Sequence, residues 1–246
     1  MKWNLFLVST ALAISVSCVA AGDLEDGDAA FQQKDYSTAL RKYKNAAGKK
    51  DPIAQRKIGN MFKDGLGVAQ NYDEAMRWYE LSAKQGNVDA QFNLGAMHEG
   101  FENPKEAARW YQMAAKKEDI ESQLKLGEFY FSGATGQLDG YHIKQNFSEA
   151  LKWYKLAVKS PDKSRDIASM RIAEMYSKGL GTKVDYVKAH QWANESCNPI
   201  DGSEPKPEAL KIREEIAKKL SAQQIEKSEQ MRAECSANNY VGKSCW

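Results

Sequence analysis

The sequence predicts an all-α fold: an α-solenoid of stacked antiparallel helix hairpins that is closed by a C-terminal helical cap. First, one outline of small and aromatic residues recurs four times along the chain, as a repeat of supersecondary units does. Its first copy includes Gly59, a Gly-x-Gly turn at 65–67 and the pair Trp78-Tyr79. Second, apolar residues inside each copy recur at helical spacing. Third, only 6 prolines and 17 glycines among 246 residues argue against a β-sandwich or a disordered chain.

The first element, residues 1–21, is predicted to be a signal peptide. A basic Lys2 precedes an uncharged apolar stretch, and small residues end at Ala21, after which we expect cleavage. The mature protein is therefore expected to be periplasmic or secreted, with no membrane span. An uncut membrane anchor is one alternative. A lipoprotein acylated at Cys18 is another, although Ser15 stands where such a signal prefers Leu.

The second element is a repeat solenoid over residues 22–196. A tryptophan marks the same place in each of four full units, and a fainter unit with Lys42 at that place precedes them. Between the small residue that opens a unit and its tryptophan, the second unit is shorter and the third longer than the first, as surface loops allow. The predicted units cover about 24–51, 52–87, 88–119, 120–163 and 164–196.

Helix caps support two helices in each unit. An Asn followed three residues later by Glu predicts an N-cap whose oxygen accepts a backbone N–H while the Glu reaches back. These pairs are Asn71 with Glu74, Asn103 with Glu106, and Asn146 with Glu149.

Small and large residues inside the helices predict how the units pack. Gly59, Gly95 and Gly127 recur in helix interiors, where Gly costs about 1 kcal/mol relative to Ala, so we expect a close neighbour at each. The repeated tryptophans have two interpretations, an aromatic binding strip or core packing between units, and we expect core packing. They are Trp78, Trp110, Trp153 and Trp192.

This outline closely resembles the Sel1-like repeat, a tetratricopeptide-like helical hairpin, over roughly residues 24–196. The chain departs from the family pattern at His98, which replaces an aromatic residue, and at Ala173, which replaces Gly. The resemblance implies a role as an adaptor, a regulator of envelope signalling, a host-interaction factor or an immunity protein that caps a toxin. It also implies that the first helices of the units line a concave groove.

The last elements are a linker at 197–206 and a helical cap at 207–246, with helices expected at about 207–219 and 222–235. Stacked repeats need such a cover for their apolar end. Three cysteines remain after export and allow three different single bridges; we expect the disulfide between Cys235 and Cys245, which closes the shortest loop. Cys197 would then be the spare, buried thiol, and no CxxC spacing predicts a metal site.

Catalytic chemistry is not predicted. The three histidines, His98, His142 and His190, belong to no zinc motif, and the chain has no nucleophile elbow or phosphate-binding loop. We therefore expect no enzyme activity, no cofactor and no metal. The alternative is a cell-wall enzyme of the Cys-rich Sel1 type that binds β-lactams, but those relatives carry paired cysteines in every repeat and this chain does not.

The expected function is a non-catalytic scaffold that binds a protein or peptide through its concave face. The charge of +2, from 35 basic and 33 acidic residues, argues against nucleic acid as the partner. Tyr141 and His142 on the long loop of the third unit are further candidate contacts. The predicted concave-face residues are Arg56, Asn60, Lys63, Asn93, Lys125, Glu128, Arg171, Glu174 and Lys178.

Overall fold

The computed structural model describes residues 22–134, 142–159, 163–198 and 204–237, and these ranges are almost entirely α-helical. The all-α prediction is confirmed. In chain order the helices are α1 (Asp23–Gln32), α2 (Tyr36–Gly48), α3 (Pro52–Asp64), α4 (Tyr72–Lys84), α5 (Val88–Gly100), α6 (Pro104–Ala115), α7 (Ile120–Ser132), α8 (Phe147–Ala157), α9 (Lys163–Lys178), α10 (Tyr186–Ser196), α11 (Pro207–Ala217) and α12 (Ala222–Ala237).

Successive helices pair into five hairpins, from α1 with α2 to α9 with α10, and each hairpin stacks on the next. We call the odd-numbered members, α1 to α9, the first helices, and their partners, α2 to α10, the second helices. Each second helix also packs against the first helix that follows it. The cap helix α11 packs on α9 and α10, and α12 packs on α10, so the pair closes the end of the stack.

The predicted asparagine caps are present, but their glutamates act differently from the prediction. Asn71 Oδ1 accepts the N–H of Glu74 at 3.0 Å. The N–H of Asn71 itself donates to the carbonyl oxygen of Phe62 on the preceding helix at 2.9 Å. Because that donor is already satisfied, Glu74 does not reach back and instead accepts from Arg77 at 2.7 Å. The same arrangement recurs at Asn103 and Asn146.

The close neighbour predicted at each of these glycines is the ring of a tyrosine on the second helix of the same hairpin. A Cβ atom added to Gly59 would lie 2.6 Å from the ring of Tyr79, so only Gly leaves room for it. Gly95 faces Tyr111 and Gly127 faces Tyr154 in the same way, each at 2.5 Å.

All four tryptophans pack in or against the core as predicted, but two of them lie at its edge. Trp110 and Trp192 are buried, but Trp78 and Trp153 are partly exposed. The tyrosine that follows each of the first three tryptophans is the fully buried residue. A helix turns about 100° per residue, so when the tyrosine points at its glycine the neighbouring tryptophan points to the side.

The Gly-x-Gly turns adopt the left-handed conformation expected of them. Gly65 and Gly67 have φ of 68° and 72°. The second glycine also packs against the preceding hairpin, since a Cβ atom at Gly67 would lie 2.7 Å from Cβ of Tyr36 and 3.0 Å from its carbonyl oxygen. The turn therefore both reverses the chain and contacts the neighbouring unit.

The insertion of the third unit returns to the solenoid. Ala134 and Ile143 form an isolated antiparallel bridge with N···O distances of 3.0 and 2.7 Å. Ile143 packs beside the core that contains Tyr111. His142 is exposed, and Tyr141 lies outside the described residues.

Candidate functional site

The first helices lie side by side, and an ion pair joins each neighbouring pair of them. We call the surface along these helices the first-helix face. From the N-terminal end, the pairs are Asp28 with Lys57 at 2.9 Å, Arg56 with Asp89 at 3.3 Å, Glu99 with Lys125 at 3.0 Å and Glu128 with Arg171 at 2.9 Å.

Most predicted charged site residues take part in these contacts. Beyond Arg56, Lys125, Glu128 and Arg171, Glu174 accepts from Arg171 at 3.3 Å and from Lys178 at 2.7 Å. Burial opposes the charge of Arg171, but its two glutamate partners hold its pKa above the usual value. Lys63 lies 3.4 Å from the neighbouring Asp64. The face is therefore braced by its own charges before any partner binds.

Asn60 supports the core in addition to facing the groove. Its Oδ1 accepts from the hydroxyl of Tyr79 at 2.6 Å and from the amide of Asn93 at 3.4 Å. Burial raises the pKa of Tyr79 far above the usual value, so the phenol stays protonated and donates. In the first hairpin, Asp28 accepts from Tyr43 at 2.6 Å. A polar residue directly after the glycine was a sequence signal for this role that our prediction missed.

The structure brings four predicted residues, Arg56, Asn60, Lys63 and Asn93, to one hollow of about 630 Å³ between α3, α5 and the start of α7. The rest of its lining was not predicted, and most of these residues lie in the first turn of a helix or in the turn before it, outside the stripe on which the prediction was based. They are Asp64, Asp89, Phe92, Glu118, Asp119, Ile120 and Glu121.

A second hollow, of about 540 Å³, lies between α9 and α11. It includes the predicted residues Arg171, Glu174 and Lys178, and the cap contributes Ile212 and Ile216. The remaining predicted residues, Lys125 and Glu128, lie on α7 between the two hollows. The nine residues thus share one face but not one pocket.

The exposed charges of the first helices are mainly acidic. Their exposed bases are Lys163 and Lys178. Their exposed acids are Glu25, Asp64, Asp89 and Glu121.

The described ranges offer no assembled metal site, since they contain no group of three or more His, Cys, Asp and Glu side chains placed for one. Burial lowers the pKa of His98 and of His190. His190 is buried, with Nδ1 2.6 Å from the hydroxyl oxygen of Ser228 on α12. Burial also raises the pKa of the free thiol Cys197, so the thiolate is disfavoured.

The family model of the Sel1 repeat matches residues 52–87, 88–119, 120–162 and 167–198. These matches cover more than half of the chain. No helix in the described ranges is long and apolar enough to cross a membrane.

Solved structures of repeat proteins are among those that resemble the chain. A protective antigen of uropathogenic Escherichia coli with an SLR fold is 26% identical with a TM-score of 0.67, over 91% of this chain and 46% of that one. A Sel1 repeat protein from Oxalobacter formigenes is 27% identical with a TM-score of 0.61, over 81% of this chain and 86% of that one.

Among curated proteins, a Sel1-like repeat-containing protein of Acanthamoeba polyphaga mimivirus is 42% identical over 45 residues. The match covers 18% of this chain and 8% of the viral protein. The chain thus spans less than half of the E. coli antigen and less than a tenth of the viral protein.

Proposed function

The chain belongs to the Sel1 repeat family, and from this premise we propose that it is a non-catalytic scaffold, exported to the periplasm or secreted, that binds a protein or peptide through its first-helix face. Sel1 repeat proteins are protein-interaction scaffolds with an all-α repeat fold. Adaptor, regulator and toxin-capping immunity protein are the candidate roles, and all three need a binding surface of this kind.

The observation that carries the proposal is the braced hollow between α3, α5 and α7. Its walls are held by the ion pair of Arg56 with Asp89 and by the contact of Asn60 with Asn93. A surface that is fixed before binding loses little conformational entropy when a partner arrives. The hollow is open, combines Phe92 with polar side chains, and extends along a face rather than enclosing a small molecule.

The site is tested with a photo-crosslinking amino acid placed at Asn93, inside the hollow, and in a second variant at Asp73, on the opposite side of the hairpins. Each variant is expressed in the source cell and irradiated. We expect a discrete crosslinked partner from position 93 and none from position 73. Equal crosslinking from both positions would contradict the assignment of the first-helix face as the binding surface.

A substitution test uses the exposed rim instead of residues that brace the fold. Arg56 and Asn60 are poor choices, because changing them would disturb Asp89 and Tyr79. The variant Glu118→Arg with Glu121→Arg reverses two exposed charges of the hollow. Its matched control, Asp73→Arg with Glu226→Arg, reverses two exposed charges elsewhere. We expect the crosslinked partner to be lost from the rim variant and retained by the control.

Export is tested by mass spectrometry of the mature N-terminus. The proposal expects the chain to start at Gly22, the residue after the predicted cleavage site. A lipid-modified N-terminus at Cys18 would replace the soluble scaffold by the lipid-anchored alternative. An intact Met1 would refute export by cleavage.

A further inference from the structure

The outer surface of the second helices carries a pattern that the scaffold function does not use. We name positions by their distance from the repeated tryptophan and call this surface the second-helix face. In or just after α4, α6 and α8, the residue before the tryptophan is basic, the third residue after it is apolar, and the sixth is a lysine at or shortly beyond the helix end. The basic row is Arg77, Arg109 and Lys152, the apolar row is Leu81, Met113 and Leu156, and the lysine row is Lys84, Lys116 and Lys159.

The apolar row is open to solvent. Leu81, Met113 and Leu156 are 47%, 36% and 38% exposed. The same position is Asn45 in the first hairpin, and in the fifth it is Glu195, which α12 covers and which is 2% exposed. Exposed apolar residues at this position therefore occur in three of the four hairpins that the cap does not cover.

The face is also strongly basic. Within α2, α4, α6 and α8, seven bases are exposed and Asp73 is the one exposed acid. Three further exposed lysines, Lys116, Lys117 and Lys159, lie within two residues of the ends of α6 and α8. The first helices show the opposite balance, with four exposed acids and two exposed bases. The solenoid thus separates charge between its two faces, although the whole chain has a net charge of only +2.

Four glutamates offset part of this charge without covering the face. Glu80 contacts Lys84 of the lysine row at 3.0 Å. The other three, Glu74, Glu106 and Glu149, contact the basic row at 2.6 to 2.8 Å. All three are only partly exposed and belong to the first turns of their helices, where the positive end of the helix dipole favours a carboxylate. The lysine row lies at the other end of the helices, where a cation is favoured.

The rows of the second and third hairpins adjoin one another. A shallow hollow of about 370 Å³ is lined by Glu80 and Lys84 of α4, His98 of α5, and Glu106, Arg109, Trp110 and Met113 of α6. Lys84 of the second hairpin thus lies beside the basic and apolar positions of the third.

We propose that the second-helix face docks on the surface of an anionic lipid membrane. Apolar side chains flanked by Lys and Arg are the pattern of surfaces that rest at the headgroup boundary, with the cations near lipid phosphates. An acidic protein would have to match the spacing of the three rows, whereas laterally mobile lipids adapt to it. This inference is independent of the proposed function, because the first-helix face stays free for a protein.

The experiment is flotation of the purified mature chain with vesicles. One set contains about 30% phosphatidylglycerol in phosphatidylcholine and the other contains phosphatidylcholine alone. We expect binding to the anionic vesicles only, and loss of binding between about 0.1 M and 0.5 M salt because the charges are screened. No binding, or equal binding to both vesicles, would overturn the inference.

Charge-reversal variants locate the surface. Lys84→Glu with Lys116→Glu and Lys159→Glu is expected to lower the partition coefficient at least about a hundredfold, since each cation near the surface contributes about a factor of five. The control is Lys211→Glu with Lys218→Glu and Lys227→Glu, which changes three exposed lysines of the cap, off this face, by the same charge. Equal losses in both variants would contradict the assignment.

The apolar row is tested separately with Leu81→Asn, Met113→Asn and Leu156→Asn. We expect several-fold weaker binding that is still abolished by salt. Circular dichroism and the melting temperature, measured for every variant, show that these exposed positions leave the fold intact. If this variant binds vesicles as strongly as the wild type does, the apolar row is not part of the interface. If the wild type binds a soluble polyanionic protein but not vesicles, the proposal that a membrane is the partner is refuted.

Discussion

At the residue scale, a glycine on the first helix faces a buried tyrosine on the second in the first four hairpins. The pairs are Gly27 with Tyr43, Gly59 with Tyr79, Gly95 with Tyr111 and Gly127 with Tyr154. The fifth hairpin carries Ala173 and Ala193 at the equivalent positions, and both are fully buried. The space left by the glycine is therefore filled by the tyrosine ring, and in the fifth hairpin two alanines fill the space between the helices instead.

This compensation predicts a strong coupling between Gly95 and Tyr111. In the wild type, Gly95→Ala places a Cβ atom against the ring, and overpacking of about 1–3 kcal/mol exceeds the roughly 1 kcal/mol gained in helix propensity. In the background of Tyr111→Ala the clash is absent, so the same change is expected to stabilise. Urea denaturation of the four proteins in this cycle measures the coupling.

The matched control for that cycle is Gly48→Ala. Gly48 is helical and no atom lies within 4 Å of its added Cβ, so the substitution should be neutral or stabilising by up to about 1 kcal/mol. If Gly95→Ala and Gly48→Ala change the free energy of unfolding equally, contact with the Tyr111 ring is not the reason for the glycine at position 95.

His190 predicts how stability depends on pH. Burial holds its pKa below the ordinary 6.5, and it faces Ser228, Asn194, Glu229 and Arg213. The unfolded chain therefore binds a proton at higher pH than the folded chain does, and stability falls as the pH decreases through about 6.5 and below.

Thermal unfolding between about pH 7.5 and 5.5 checks this expectation. We expect a lower melting temperature at the acidic end, with a smaller decrease in His190→Asn. His98 also has a pKa lowered by burial, so His98→Asn serves as the parallel measurement of its share. An unchanged pH dependence in both variants would contradict the assignment.

At the scale of the element, the helix ends were readable from sequence because their chemistry is local. Ser221 and Gln224 lie within four neighbouring positions of one chain segment and form a capping box, in which the N–H of Ser221 donates to Gln224 Oε1 at 2.9 Å and the N–H of Gln224 donates to Ser221 Oγ at 3.3 Å. The glutamate of each asparagine cap was predicted wrongly because the N–H of the asparagine donates to a competing acceptor, a backbone carbonyl oxygen of the preceding helix. Phe62 and its equivalents are remote in sequence spacing and could not be read from the cap motif alone.

The Gly-x-Gly turn gives a prediction at this scale. Gly65 and Gly67 both have positive φ, but only Gly67 contacts the backbone of the preceding hairpin. Gly65→Ala should cost about 1–2 kcal/mol from the left-handed conformation. Gly67→Ala carries the same penalty and the clash with Tyr36, so we expect it to be at least about 1 kcal/mol worse.

Chemical denaturation of the two alanine variants provides the measurement. The shared backbone conformation cancels in the difference between them, which leaves the contact between hairpins. Equal losses of stability would mean that the turn does not help to stack the units.

At the scale of the whole molecule, the cap determines how the stack ends. α12 covers α10 through Ser228, Ser236 and the fully buried Cys235. Cys245 lies outside the described residues, so its disulfide with Cys235 stays a prediction. The bridge would hold the last helix to the chain that follows it.

Cys245→Ser tests that bridge. We expect a loss of about 2–3 kcal/mol in the chain-entropy description of a short loop, measured by denaturation without reductant. Reductant should lower the stability of the wild type and leave the variant unchanged. If Cys197→Ser instead removes the effect of reductant, the pairing is different.

The ion pairs of the first-helix face also depend on the whole molecule. Arg56 and Asp89 lie far apart in sequence, as do Glu128 and Arg171, and stacking of the hairpins brings each pair together. The sequence predicted these residues as a face, since helix periodicity fixes which side chains share a side. It could not show that the side chains bind one another.

The sequence by itself determined the repeat, the helix caps, the turns and the all-α class, because each depends on residues within a few positions of one another. Only the tertiary structure decided that Tyr79 rather than Trp78 turns inward and that the predicted binding charges also brace the face. It alone revealed a basic and partly apolar surface on the second helices. These outcomes depend on the register between helices, and register is set by the fit of side chains such as Gly59 and Tyr79 across the hairpin, which no local pattern specifies.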